Sequence, residues 1–284
     1  MVLFWDYDTQ WGADASRSGA KAWGMAEFEH TERLLELYHE RNMHACFACV
    51  GAAALEGNRP YHDPKQIRRL YDAGHEIASH SHKHEWLPGL SPADLRESLV
   101  RSKEALENCT GGAVETFVPP WNQPYDYLRV GSLSLSERRE TRGRSRTDVP
   151  RLCAMLHETG YRFVRLAFRT LLRRLADAAG LPDTLTTKVS RLGDVRYVRL
   201  TTPAGFAEAA RLSVSAAAAD GHVAVIWGHP HSLSADNAQH ERHLVPFLDW
   251  LVEMRSRRLI DVVLPRTLTV HHGVPAHDVQ ERRC

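Results

Sequence analysis

Surplus charge is the first thing the sequence lacks: 36 Lys and Arg stand against 35 Asp and Glu, a formal net charge of +1. That excludes the broad basic surface that nucleic acid or an anionic membrane selects, so a neutral or locally recognised partner is expected. Cysteine is scarce too. Cys46, Cys49, Cys109, Cys153 and Cys284 are odd in number and scattered, which excludes a disulfide scaffold and predicts reduced thiols. Cys46 and Cys49 form a C-x-x-C pair, but "HACFACVG" has strand character, and period-2 alternation sends the two thiols to opposite faces. No second pair follows at zinc-site spacing. No apolar run approaches the ~18 residues needed to span a bilayer. The opening "MVLFWDYDTQWG" has no basic leader and reads as a first strand, so a cytoplasmic location is expected.

What is present is alternation. Runs rich in Val, Ile and aromatics recur at "VLFWDYD", "HACFACVG", "HEIASHS", "ETFVPPW", "YRFVRLAF", "VRYVRLTT", "HVAVIWGH" and "DVVLP". Helical patterns separate most of them. From Met25 to Arg41, Phe28, Leu34, Leu35, Leu37 and Tyr38 cluster as one apolar stripe. Ser91, Pro92 and Asp94 supply an N-cap oxygen, a first-turn proline and an acid at the dipole's positive end, ahead of Leu95, Leu99 and Leu106. Further helices are expected over Asp63 to Ala73, Val149 to Thr159, Ala204 to Ala219 and His240 to Arg257. This alternation predicts an α/β fold with a parallel sheet, doubly wound or closed as a barrel, and a ligand site at the carboxyl ends of the strands. With no repeat and no linker, residues 1–284 read as a single domain. The polar stretch 132–148 carries five arginines without apolar periodicity and reads as a flexible loop.

Four polar groups fall just after strands: "DYD", "HSHKH", "PPWN" and "GHPH". In "HSHKH", His80 and His84 share a face if the segment turns helically, whereas all three of His80, His82 and His84 share one if it stays extended. Imidazoles and carboxylates suit a catalytic zinc, which takes three protein ligands and leaves a position for water. Asp6 and Asp8, two apart on one strand, point the same way. Two buried free carboxylates are costly together, and a metal relieves this by taking one as ligand while the other serves as a base. His229 is placed to protonate a leaving group. Each feature also has a plain structural reading, as solvent-facing acids, surface histidines or a satisfied loop histidine.

Taken in order, "DYD", "GHEIASHSHKH", "FVPPWN" and "IWGH" resemble the first, second, third and fifth motifs of the polysaccharide deacetylase family, also called NodB-homology or carbohydrate esterase four, from Leu3 to about Pro230. The resemblance implies a distorted (β/α) barrel of about seven parallel strands. It also implies a divalent metal, zinc in most members, on Asp8, His80 and His84, with Asp6 as general base and His229 as general acid. The backbone N–H near Trp121 would face the oxyanion, and His82 would be an outward-pointing or supporting residue. The implied reaction is removal of an N-acetyl group from an amino sugar, oligosaccharide or polysaccharide precursor. Trp11, Trp121 and Asn122 are expected to line the substrate pocket; Trp86 and Trp227 also lie by the motifs, though tryptophan at strand ends is often core.

Several positions depart from the family pattern. Val118 stands where an arginine usually pairs with the base, and Asn122 replaces a glycine. "YRFVRLAF" offers Arg165 and no carboxylate to tune the catalytic histidine, and Tyr7 separates the two aspartates. Two rival functions therefore stay open: a deformylase or ureide-type amidohydrolase acting on a non-sugar amide, and a glycan-binding barrel without turnover. Oligomeric state is not legible.

Overall fold

The structure is a computed structural model that describes residues 1–16, 22–122, 149–167 and 185–269. The arginine-rich stretch 132–148 and Cys284 lie outside the described residues. Among the described residues, eight strands form one sheet: β1 (Val2–Tyr7), β2 (Cys46–Cys49), β3 (Glu76–Ser79), β4 (Thr116–Phe117), β5 (Phe163–Leu166), β6 (Ser190–Leu192), β7 (Val195–Arg199) and β8 (Val225–Gly228). Their order is β6-β7-β5-β4-β3-β2-β1-β8, and every pairing is parallel except β6 with β7. An isolated bridge between Thr187 and Val223 joins the segments leading into β6 and β8, the two ends of that order. The result is a curled, mostly parallel sheet with seven parallel strands, the distorted barrel expected from the sequence.

Period-2 alternation sorts the strand residues into two cores. Val2, Phe4, Cys46, Ala48, Ala78, Val118, Phe163, Val198, Val225 and Trp227 pack together on one face. Leu3, Trp5, Tyr7, Phe47, Cys49, Ile77 and Val164 face the helices on the other. Cys46 and Cys49 are thus on opposite faces, as their odd spacing requires. Each fully buried Leu or Phe contributes about 1.5–3 kcal/mol.

Among the described residues the helices are α1 (Thr9–Ala15), α2 (Trp23–Glu40), α3 (Pro64–Asp72), α4 (Pro92–Thr110), α5 (Val149–Glu158), α6 (Glu208–Asp220), α7 (Glu241–Ser256) and α8 (Pro265–Thr269). Their ends follow local chemistry. Ser91 accepts from the Asp94 amide and Asp63 from the Gln66 amide, each followed by proline at the first helical position. On α2, Phe28, Leu34, Leu37 and Tyr38 are buried; on α4, Leu99 and Leu106 are, while Leu95 is partly buried.

Three local expectations are corrected. "DVVLP" is not a strand: Met1 donates to Asp261 O, Val263 donates to Met1 O, and Pro265, without an N–H, begins α8. α6 begins at Glu208 rather than Ala204, because Gly205 has φ 128°, outside helical space, and a side chain there would strike the Ala238 backbone. The charged strand β6 was not anticipated; the two-residue loop Gly193-Asp194, with Gly193 at φ 60°, turns it back on β7.

Candidate functional site

The face that holds Val2 and Phe4 continues along β1 to Asp6, and Asp8 follows as the N-cap of α1. Asp6 is buried against Arg165 of β5, whose Nη1 and Nη2 donate to Oδ1 and Oδ2 at 2.8 and 2.7 Å. The guanidinium carbon lies 5.1 Å from the ring centres of both Phe4 and Trp227, so the pair is walled by aromatics. Burial pushes the Asp6 carboxyl up, but Arg165, with His80 and His229 further off, outweighs it and holds the group below the ordinary range. Arg165 therefore occupies the role that Val118 leaves vacant. Val118 instead packs in the interior core and offers its carbonyl, which accepts from His80 Nδ1 at 2.6 Å.

That bond fixes the tautomer of His80, leaving the Nε2 lone pair to face Asp8. His80 Nε2 lies 3.3 Å and His84 Nε2 3.5 Å from Asp8 Oδ1. The loop between them is tightly held. The Ser81 carbonyl accepts from the Gly51 amide and the Ser102 hydroxyl, Ala52 N donates to His82 O, and Glu85 gathers Ser81, Ser98 and the Lys83 amide. Ser81 and His84 both adopt positive φ, 61° and 58°, which turns His84 back over His80 with ring centres 5.1 Å apart. This geometry excludes His82: its ring is buried, not outward-pointing, lies outside the cluster, and has no hydrogen-bond partner among the described residues.

The donor set fits a divalent metal. Ligands about 2.0–2.1 Å from a tetrahedral zinc stand about 3.3–3.4 Å apart, close to both Asp8 separations. Asp8 Oδ1 is buried and has no hydrogen-bond partner among the described residues, an expensive arrangement unless a cation meets it. Burial raises the Asp8 carboxyl, but the His84, His80 and His229 rings more than offset this and hold it far below the ordinary range. Burial lowers His84 to about 4, so at pH 7 it is neutral, the form in which an imidazole can ligate. For His80, burial works downward, yet Asp8 and Asp6 raise it on balance, so proton and metal compete there.

On the far side of Asp8, His229 Nε2 lies 4.0 Å from Asp8 Oδ2. Its Nδ1 donates to Gln239 Oε1 at 3.0 Å, and the same oxygen accepts the His229 amide at 2.8 Å. A neutral amide thus holds the imidazole where the family pattern has a carboxylate. Trp121 (φ 63°) sets its ring edge-on to His84 at 4.9 Å, with Trp86 beyond at 6.4 Å. Trp11 lies beneath Lys83 of the histidine loop, 5.2 Å from the ring centre to Nζ. The side chain of Asn122 lies outside the described residues. Trp227, by contrast, is core.

Comparison with known proteins places part of the chain beside a known family. Residues 23–132 match the family model described as polysaccharide deacetylase. Over that stretch the chain is similar to the polysaccharide deacetylase family. Over 97 residues it is 24% identical to the peptidoglycan-N-acetylglucosamine deacetylase of Bacillus cereus, an overlap covering 34% of this chain and 33% of that protein. Over 89 residues it is 32% identical to the peptidoglycan deacetylase of Helicobacter pylori, covering 31% and 28%. The chain thus spans about a third of the length of the curated relatives it matches. A solved structure from Mycobacterium smegmatis, described as a candidate polysaccharide deacetylase, shares the fold with TM-score 0.60 and 20% identity, covering 93% of this chain and 92% of that one.

The structure brings Asp6, Asp8, His80, His84 and His229 together, as the sequence led one to expect, and adds three residues that sequence reasoning missed. Arg165 had a readable signal, since a cation sharing strand parity with Phe163 faces the interior and needs a counter-ion. Gln239 gave none, lying in an irregular segment. Glu27 of α2 is fully buried beside the Asp8 and Thr9 amides; burial and the Asp8 charge raise its carboxyl well above the ordinary range, which favours the protonated form.

Proposed function

We propose that residues 1–284 act as one metal-dependent amide hydrolase domain that removes the acetyl group from an N-acetylated amino sugar, oligosaccharide or polysaccharide precursor. The observation that carries this reading is a single buried site pairing an ionised carboxylate, Asp6, with a three-residue donor set converging on Asp8 Oδ1. A divalent metal, zinc on the chemistry of one carboxylate and two imidazoles, would be held by Asp8, His80 and His84, and when bound supplies a polarised carbonyl and an acidified water.

The chain's own residues do the rest. Asp6, kept ionised by Arg165, accepts the proton of the attacking water. The carbonyl oxygen gathers negative charge beside the turn at Trp121, where a main-chain N–H is the expected donor. His229, with Nδ1 held by Gln239, presents Nε2 toward Asp8 and passes a proton to the departing amine. Trp121 and Trp11 offer flat faces on which a sugar ring can rest, with Asn122 following Trp121 at the pocket edge.

A glycan-binding barrel without turnover drew its appeal from Val118 and the missing acid. Arg165 supplies the cation beside Asp6 and Gln239 orients the His229 ring, though without the acid's charge, which weakens that motive. The test is metal analysis of purified protein followed by acetate release from a panel of N-acetylated sugars, soluble oligosaccharides, assembled peptidoglycan, formamides and ureides, with and without chelator. The expected result is about one metal per chain and chelator-sensitive acetate release. Protein that binds metal yet releases acetate from no sugar, or that acts on the non-sugar amides instead, overturns the substrate assignment.

A further inference from the structure

The second half of "GHPH" has no place in the chemistry above. His231 follows His229 by two residues on the short turn Pro230–Ser232, and one ligating atom from each of Asp8, His229 and His231 lies within 4.8 Å of the others. The His231 ring is rigidly placed. It stacks flat on Trp23 at 4.4 Å and 6°, its Nδ1 meets the Ser232 hydroxyl at 3.1 Å, and the His30 ring tethers the turn through the Pro230 carbonyl at 2.8 Å. Its Nε2 is buried and has no hydrogen-bond partner among the described residues.

We infer that Asp8, His229 and His231 form a second, weaker divalent-metal site that shares the Asp8 carboxylate with the first and, when filled, silences the proton-donating nitrogen of His229. The two oxygens of Asp8 divide the work. Oδ1 faces His80 and His84, at 3.3 and 3.5 Å, while Oδ2 faces His229 Nε2 at 4.0 Å. A carboxylate bridging two such sites sets the ions about 3.5–4 Å apart, the spacing of two-metal centres. Weaker binding follows from geometry. The second set must close by more than half an ångström to reach the roughly 3.3–3.4 Å edge of a zinc tetrahedron, and the second cation meets the charge of the first. Once there it occupies His229 Nε2, the nitrogen that the proposed reaction needs protonated, so excess metal should inhibit. The metal count stands independently of the deacetylase reading; only the inhibition rests on it.

The experiment is calorimetric titration of the metal-stripped full chain with zinc, together with histidine-resolved NMR on the diamagnetic zinc-loaded protein. Wild type should show one equivalent in a tight phase and a second in a weaker phase, with His231 resonances shifting only in the second. His231→Phe, which keeps a flat ring on Trp23 without a donor, should lose the weaker phase, keep the tight one and escape inhibition by excess zinc. His84→Ala should lose the tight phase instead. The wild-type NMR decides the matter even if the variant fails to fold. A single phase in wild type, His231 signals unmoved by the second equivalent, a weaker phase that survives His231→Phe, or a filled second site with undiminished turnover each overturns the inference. Loss of acetate release with both phases intact would refute the deacetylase reading alone.

Discussion

Replacing Arg165 with methionine removes a cation whose side chain is 1% exposed from a carboxylate that is 4% exposed. Both hydrogen bonds, at 2.8 and 2.7 Å, disappear together, and the aromatic walls of Phe4 and Trp227 admit no replacement charge. Breaking a buried ion pair from one side costs about 3–5 kcal/mol, not the fraction of a kcal/mol typical at the surface. Asp6 has an escape: it takes up a proton. Its carboxyl is held below 3.8 in the native chain, so the pair contributes stability that is complete above that value and is lost as pH falls through the lower folded value. Without Arg165, burial dominates and the carboxyl rises, by at most roughly 2–4 pH units if the whole 3–5 kcal/mol appears as proton affinity.

Two measurements follow. The acidic limb of the kcat/KM profile should move to higher pH, with turnover falling by about 10²–10⁴ only at the pH values where Asp6 is protonated. The melting temperature at pH 8 should drop by about 6–20 °C and recover on acidification. Arg165→Lys keeps the charge without the fork and should fall between. In the double variant Asp6→Asn with Arg165→Met, no charge is stranded, so stability should return toward wild type. An unshifted acidic limb and an unchanged melting temperature in Arg165→Met would refute the assignment of Arg165 as the partner of the base.

Asp8→Ala and His80→Ala should lose bound metal, Asp6→Asn should keep metal and lose turnover, and His82→Ala should be mild in both respects. Metal content and acetate release separate the cases, and equal metal loss at His82 and His84 would mean that the ligand pair is misassigned. Glu27→Gln tests the buried protonated acid. The folded chain holds a proton that the unfolded chain releases above pH 4.5, so this group lowers stability as pH rises, and the neutral variant should melt higher than wild type at pH 8 and the same at pH 4. Gln239→Leu should lower kcat more than metal affinity, since it frees the His229 ring and touches none of the donors on Asp8 Oδ1. Gly12→Val should weaken metal binding, because even a Cβ at Gly12 comes within 2.6 Å of the Asp8 Cβ and would push the carboxylate aside.

Much of this protein was readable from local pattern. Strand alternation, the Ser91 and Asp63 caps and the placement of polar groups after strands depend on backbone geometry over a few residues, and these carried the seven parallel strands and the convergence of Asp6, Asp8, His80 and His84. The spacing in "HSHKH" left three histidines in play; two positive-φ residues fold His84 onto His80 and leave His82 outside the Asp8 cluster. The partners of the reacting groups were not legible. Arg165 reaches Asp6 across 159 positions of sequence and Gln239 reaches His229 out of an irregular segment. Such contacts depend on sheet curvature and on how far each side chain extends into a shared interior. Composition and periodicity report which face a residue occupies, because that is decided by its neighbours in the chain. Which charge it meets there is decided by packing between strands that are remote in sequence, and the low dielectric of that interior makes the meeting matter.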